Sequence, residues 1–249
     1  MKRTRLAAAV SGAVLGLAAP ASAGNLTIGA GSTLDLGTGV LTLGCADLTV
    51  TGTLTAGSAG LSGARDVSIS PSGIVNAGSA TLTLAGDWDN AGTFNAGTST
   101  VQMVDGCALF GGVVTGNTNF ANLLISTTSA KLVSFATGST QTVTGLLTLL
   151  GASGNLLQIR STLSGILAFF NVSGSSSASF VNVDDIDAQP GNDISLPANS
   201  VAGPNTPGWQ LFGVPVPLLG PVALVALALS LLISGQRWLP RSTRGDPAL

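Results

Sequence analysis

The sequence predicts an all-β chain coiled as a parallel β-helix, with an N-terminal signal helix before the coil and a C-terminal transmembrane helix after it. Three observations carry this: a repeat near every 20 residues, short apolar runs of period 2 inside each repeat, and turn residues between the runs. Segments 32–38, 52–58, 73–79 and 92–98 align without gaps, which sets Leu34, Leu54, Val75 and Phe94 at intervals of 20, 21 and 19 residues. Seven residues after each stands a second apolar residue, Leu41, Leu61, Leu82 and Val101, and six or seven later still stand Leu48, Val67 and Trp88.

Three strands of three to five residues per period make one coil of a solenoid. A lone coil cannot bury its inward Leu, Val or Ile, but neighbours stacked at about 4.8 Å form a continuous apolar column. Gly serves the corners because it adopts positive φ without steric cost. Short corners leave little surface for long side chains, in accord with a chain that is only 8% charged. An antiparallel sandwich, with strands about every 8 to 12 residues, is the alternative architecture. Its hairpins, however, require no recurrence at 20 residues.

The composition removes several chemistries. With no His there is no Ser-His-Asp triad, no Cys-His pair and no imidazole metal ligand, and the chain also lacks Tyr and Glu. The expectation is a protein without catalytic, cofactor-binding or metal-binding residues.

Both ends are distinct from the body. Residues 1–23 open with Lys2, Arg3 and Arg5, run apolar from Leu6 to Ala19 and close on Ala21-Ser22-Ala23, which is the pattern of a secretory signal peptide. Signal peptidase and the Sec export machinery are thus expected partners, and the mature chain is expected to begin at Gly24, outside the cytoplasm. Residues 213–249 hold Val214-Pro215-Val216-Pro217, a run to Ile233 that is almost wholly apolar, and then Arg237, Arg241 and Arg244. The 23 residues from Leu211 to Ile233 carry no charge, near the roughly 20 that span a bilayer, and the arginines form a basic membrane stop on the cytoplasmic side. A buried core helix is disfavoured by Pro215, Pro217 and Pro221.

This order of parts resembles the C-terminal sorting signals of Gram-negative envelopes, PEP-CTERM and its IPTL-CTERM relatives. The resemblance covers about 30 residues. It implies processing by an exosortase-type membrane peptidase at the motif Val214 to Pro217, although Val216 stands where the Pro-Glu-Pro form carries its acid. A permanent membrane anchor is the other reading of the same segment.

The body is 24–212, with its repeat clearest over 32–104. From Gly86-Asp87-Trp88-Asp89-Asn90-Ala91-Gly92 onward, through Asn119-Phe120-Ala121-Asn122-Leu123, Val181 to Ala188 and Asn205-Thr206-Pro207-Gly208-Trp209, it resembles the repeats and closing coils of bacterial β-helix adhesins. That resemblance implies a right-handed coil of the filamentous-haemagglutinin kind and a place on the cell surface, in the outer envelope or in the extracellular matrix. The partner it implies is a surface polysaccharide or a host or matrix ligand. Trp209 is expected to cap the last coil.

Ten Asp against Arg65, Lys131 and Arg160 leave the body near −7, which disfavours nucleic acid. Asp184, Asp185, Asp187 and Asp193 are the only acidic group that suggests Ca²⁺ or acid chemistry, yet they match neither an EF-hand nor a Ca²⁺-binding nonapeptide repeat, and solvated turn aspartates are the simpler reading. On a strand, Asp185 and Asp187 share one face about 7 Å apart, which suits an inverting pair and gives the alternative function, a polysaccharide lyase or hydrolase on the same fold. No neighbouring Lys or Arg supports it.

Cys45 and Cys107 are thiols in a chain expected to be exported, where a bridge is permitted. Counting coils places them three apart, about 14 Å, beyond the roughly 7 Å reach of a disulfide between Cα atoms. Two separate buried thiols are therefore expected.

Overall fold

The computed structural model describes residues 24–212, and these form a parallel β-solenoid of about eight turns with no helix among them. The signal peptide, the motif Val214 to Pro217 and the basic stop at Arg237, Arg241 and Arg244 lie outside the described residues. Among the described residues no helix is long and apolar enough to cross a membrane.

Each coil contributes one strand to each of three faces. The first face is a continuous sheet of nine strands, from Leu26–Ile28 through Trp88–Asn90 to Val201–Ala202. The third is a sheet of seven, from Val40–Thr42 to Ser175–Ser179. The second position is split into a sheet of four strands ending at Thr93–Asn95 and another of four beginning at Thr118–Phe120. Every pairing between these strands is parallel, which replaces the antiparallel sandwich as an alternative.

The columns read from the sequence are the columns of the core. Leu34 pairs with Leu54, Leu54 with Val75 and Val75 with Phe94. Leu41, Leu61, Leu82, Val101, Leu123 and Leu147 form a second file. Leu48, Val67, Trp88, Val114 and Phe135 form a third. Burying one such side chain contributes roughly 1.5–3 kcal/mol, so the apolar columns dominate the stability of each coil. Between coils, the outward side chains are short hydroxyls and amides that hydrogen-bond along the axis, as in Asn95 to Asn76 at 2.8 Å and Thr51 with Ser70 at 3.2 Å.

The sheet breaks in the second position where the inward residue changes phase, from the middle residue Phe94 to the outer residues Thr118 and Phe120. Buried polar side chains span the break. The Trp88 indole N–H and the Asn90 amide both donate to the Thr118 hydroxyl at 3.1 Å, and buried Gln141 donates to the Gly116 carbonyl at 2.8 Å. Trp88, Phe94 and Phe120 pack there as an aromatic cluster with centroids 5.1 to 6.0 Å apart.

Gly37, Gly57, Gly78 and Gly97 stack at one corner, each with positive φ. A Cβ on Gly78 would lie 2.3 Å from the Gly57 carbonyl oxygen, and φ there is +59°. Gly78→Ala is therefore expected to lower unfolding free energy by more than about 2 kcal/mol, from left-handed strain plus the clash. Thr93→Ala, on the outer surface of the next coil, should stay within about 0.5 kcal/mol. Denaturant unfolding of the two variants checks the contrast.

Candidate functional site

Between the first and third faces the corners stack as a ladder of their own. Arg65 N–H donates to the Ala46 carbonyl and Ala85 N–H to the Ala64 carbonyl, each at 3.0 Å. One coil later the chain leaves this course. Residues 105–110 swing out, with a local bridge between Gly106 and Leu109 and positive φ at Cys107 and Ala108.

The excursion corrects the expectation of separate thiols: Cys45 and Cys107 form a disulfide, with Cα atoms 5.5 Å apart. The coil register behind that expectation holds, but Cys107 is not on a coil. Its loop runs back along the corner past Gly86, where a Cβ would meet the Leu109 side chain at 2.8 Å, and reaches the Gly44–Cys45 corner.

Lys131 occupies the space the excursion leaves. Its side chain is fully buried, and its Nζ donates to the Ala85 carbonyl and, at 3.1 Å, to the Val104 carbonyl. The Ala85 carbonyl is the acceptor that the next corner N–H would have served, so the amine stands in for a missing backbone donor. Burial pushes this amine below its usual pKa, with Asp105 and Asp87 acting in the opposite sense. The sequence offered Lys131 only as one of three cations; its apolar neighbours Leu132 and Val133 gave no sign of its burial.

Outside Lys131 lies a shallow groove of about 410 Å³ whose walls include Val104, Asp105, Ser126, Thr127, Thr128 and Leu150. Asp105 accepts from the Thr127 hydroxyl at 2.7 Å, from the Thr128 N–H at 2.7 Å and from the Thr128 hydroxyl at 3.1 Å. Burial works against its ionisation, but these donors outweigh it and hold the carboxyl below its ordinary value. An ionised carboxylate among hydroxyls accepts hydrogen bonds from a polyhydroxyl chain but has no proton to give near neutral pH. Lys131, being fully buried, is out of reach of anything in the groove.

The four aspartates of the last coils are dispersed. Asp184 forms an ion pair with Arg160, its register partner one coil earlier, so a basic residue does stand beside this group. Asp185 is not on a strand: it is a buried corner residue with φ +53°, which removes the shared strand face expected for Asp185 and Asp187. Its carboxylate accepts from Asn205 Nδ2 at 2.8 Å and from the Gly165 N–H at 2.9 Å, and so ties the corner loops of three coils together. Asp187 accepts the Gln189 N–H at 2.8 Å, and Asp193 accepts from the Gln210 amide. Among the described residues no group of three Cys, Asp or Glu side chains converges as a metal would require. Trp209 is buried in the last coil, its indole N–H donating to the Ile186 carbonyl at 3.0 Å.

No protein-family model, no curated protein and no solved structure matches this chain.

Two outcomes follow for the corners. The disulfide joins residues 62 apart, and loop-closure entropy at that separation is worth about 4 kcal/mol, so Cys107→Ser should lower the unfolding free energy by up to that amount, read from denaturant unfolding, and reductant should erase the difference from wild type. The Asn205 and Gly165 donors hold the Asp185 pKa below its ordinary 3.8. A depressed folded pKa stabilises the fold above the unfolded value and is lost as pH falls through the folded one. The stability gap between wild type and Asp185→Asn should therefore be constant from neutral pH to about 5, then narrow as acid is added, read as unfolding midpoints across pH.

Proposed function

We propose that this chain is an exported rod of the cell surface or extracellular matrix, structural or adhesive in role and without catalysis of its own, that is sorted or anchored through its C-terminal helix. The observation that carries the reading is the Cys45–Cys107 bridge. Structural disulfides persist in oxidising compartments and are rare where glutathione keeps thiols reduced, so the bridge and the leader-like residues 1–23 favour the same location. The solenoid supplies the rod: neighbouring coils satisfy one another's backbone and leave a long surface of Thr, Ser and Asn. The partner in this reading is a surface polysaccharide or a host or matrix ligand. A right-handed coil and handling of the motif Val214 to Pro217 by an exosortase-type peptidase belong to the same proposal.

Mass spectrometry of the protein recovered from medium and envelope tests it. The expected product begins at Gly24, contains the linked Cys45 and Cys107 peptides, and lacks Arg244. Retained Arg244 would leave a permanent anchor in place of sorting, and retained Met1 with reduced cysteines would sink the export reading.

A further inference from the structure

Lys131 is the only lysine in the sequence of residues 24–249, and it is 0% exposed. Its Nζ donates to the Ala85 and Val104 carbonyls, and the tip of the excursion lies over Ala85. A Cβ on Gly106 would meet the Ala85 Cβ at 3.3 Å, and the Leu109 side chain lies against Gly86. The flanks of this tip are fixed to neighbouring coils, because Val104 N–H donates to the Leu84 carbonyl and the Phe110 carbonyl accepts the Leu132 N–H, each at 2.9 Å. The tip itself is not. Among the hydrogen bonds of the described residues, those of 106–109 stay within the tip, with Leu109 N–H donating to the Gly106 carbonyl at 3.0 Å. Cys107 and Ala108 also lie in the left-handed region, which residues other than Gly keep only where their surroundings impose it. The bond to Cys45 imposes it here, and Cys45 is exposed.

We propose that the Cys45–Cys107 bridge is a latch on this tip, and that its reduction by a dithiol uncovers Lys131 as a site for acylation while the coils stay stacked. The exposed Cys45 Sγ is the sulfur an incoming thiolate reaches. A thiolate of the dithiol bonds to it, the bond between the two Sγ atoms breaks, and Cys107 leaves as a thiolate that takes a proton from water. The second thiol of the reagent, once deprotonated, displaces the Cys45 thiolate, so the dithiol ends as its own disulfide and its electron pair has passed to the two cysteines. With the bond gone, only the Leu109 contact holds residues 106–109 to the solenoid, and the left-handed residues relax. Water then reaches the Ala85 carbonyl and replaces the amine as its partner, which frees the Lys131 side chain. The exposed amine takes an acyl electrophile: its nitrogen bonds to the acyl carbon, the leaving group departs with its electron pair, and the proton goes to solvent. The coils keep their own apolar columns and backbone ladders throughout, since the bridge belongs to neither. The oxidised body thus offers no reactive lysine and the reduced body offers one at a fixed position.

The test is acetylation of the full chain by an N-hydroxysuccinimide ester in non-denaturing buffer with mild detergent. One sample is oxidised; the other is reduced with dithiothreitol and its thiols are capped with iodoacetamide before the ester is added. Peptide mass spectrometry follows acetyl-Lys131 with time, and hydrogen exchange is read on the same samples. The expected result is acetylation at least about tenfold faster after reduction, with unchanged protection of the amides of Leu123–Ile125 and Val133–Phe135 on the neighbouring coils. The double variant Cys45→Ser, Cys107→Ser should react at the raised rate with no dithiol present, which separates loss of the bridge from the bulk of the caps. Equal rates in the oxidised and reduced chain, or a folded double variant as slow as the oxidised chain, would overturn the inference. So would a faster rate accompanied by loss of protection in those neighbouring strands, because Lys131 would then be reached by unfolding of the stack. If the double variant does not fold, the oxidised and reduced wild type with their exchange data decide between the same outcomes.

Discussion

The constraint on which this fold depends is that each coil must find, on its neighbours, both a cover for its inward side chains and a partner for its backbone. Where the repeat is regular the two needs are met together, because one register aligns the apolar columns and the hydrogen-bond ladder. Where residues are inserted the needs separate. The columns continue through the insertions, since Trp88 still stacks on Val114 although the sequence between them is longer than an earlier coil. The backbone ladder cannot continue in the same way, and side chains complete it. Lys131 supplies a donor to the Ala85 carbonyl, Asp87 an acceptor for Val113 N–H, Asn117 for Thr140 N–H, and Asp185 for Gly165 N–H. An unpaired buried backbone group costs about 1–3 kcal/mol, enough to select such residues for a structural reason alone.

That rule recasts the charged residues of the body. Asp66 accepts the Asp87 N–H, and Asp87 in turn accepts the N–H of Val113, so these acids form a row of backbone acceptors. The same holds for Asp185, whose two partners lie on different coils, and for Asp187 at its own turn. Asp105 has the same internal task, and its hydrogen-bonded carboxylate also lines an open groove.

What was legible in the sequence was the periodic part. Leu34, Leu54, Val75 and Phe94 occupy one file because inward residues recur once per coil, and that recurrence survives in any alignment of the repeats. The ion pair of Arg160 with Asp184 was recoverable too, since the two are register partners, but it needed the coil lengths after Phe94, where insertions obscure the count. Cys107 was misplaced for a related reason: counting coils gives an axial distance only for residues that stay on the coil, and nothing in the local sequence says how far an inserted loop reaches back. The positive φ of Asp185 was equally hidden, because Asp enters the left-handed region only as a minority conformation and gives no signal when it does.

The position of the disulfide then has a physical reason. In a stack of coils, stability is nearly a sum over adjacent interfaces, so a terminal coil, having one interface, opens first. The first coil of the described solenoid is such a coil, and its apolar side chains are visibly under-covered. Cys45 stands at its end, at the corner leading into the second coil, and the bridge ties that corner to a loop that leaves the stack after the fourth. Opening of the first coil must therefore strain or displace a segment held three coils away. A local weakness is shared with the interior, and Lys131, which completes the interior corner from which that loop departs, becomes part of what keeps the end of the rod in place.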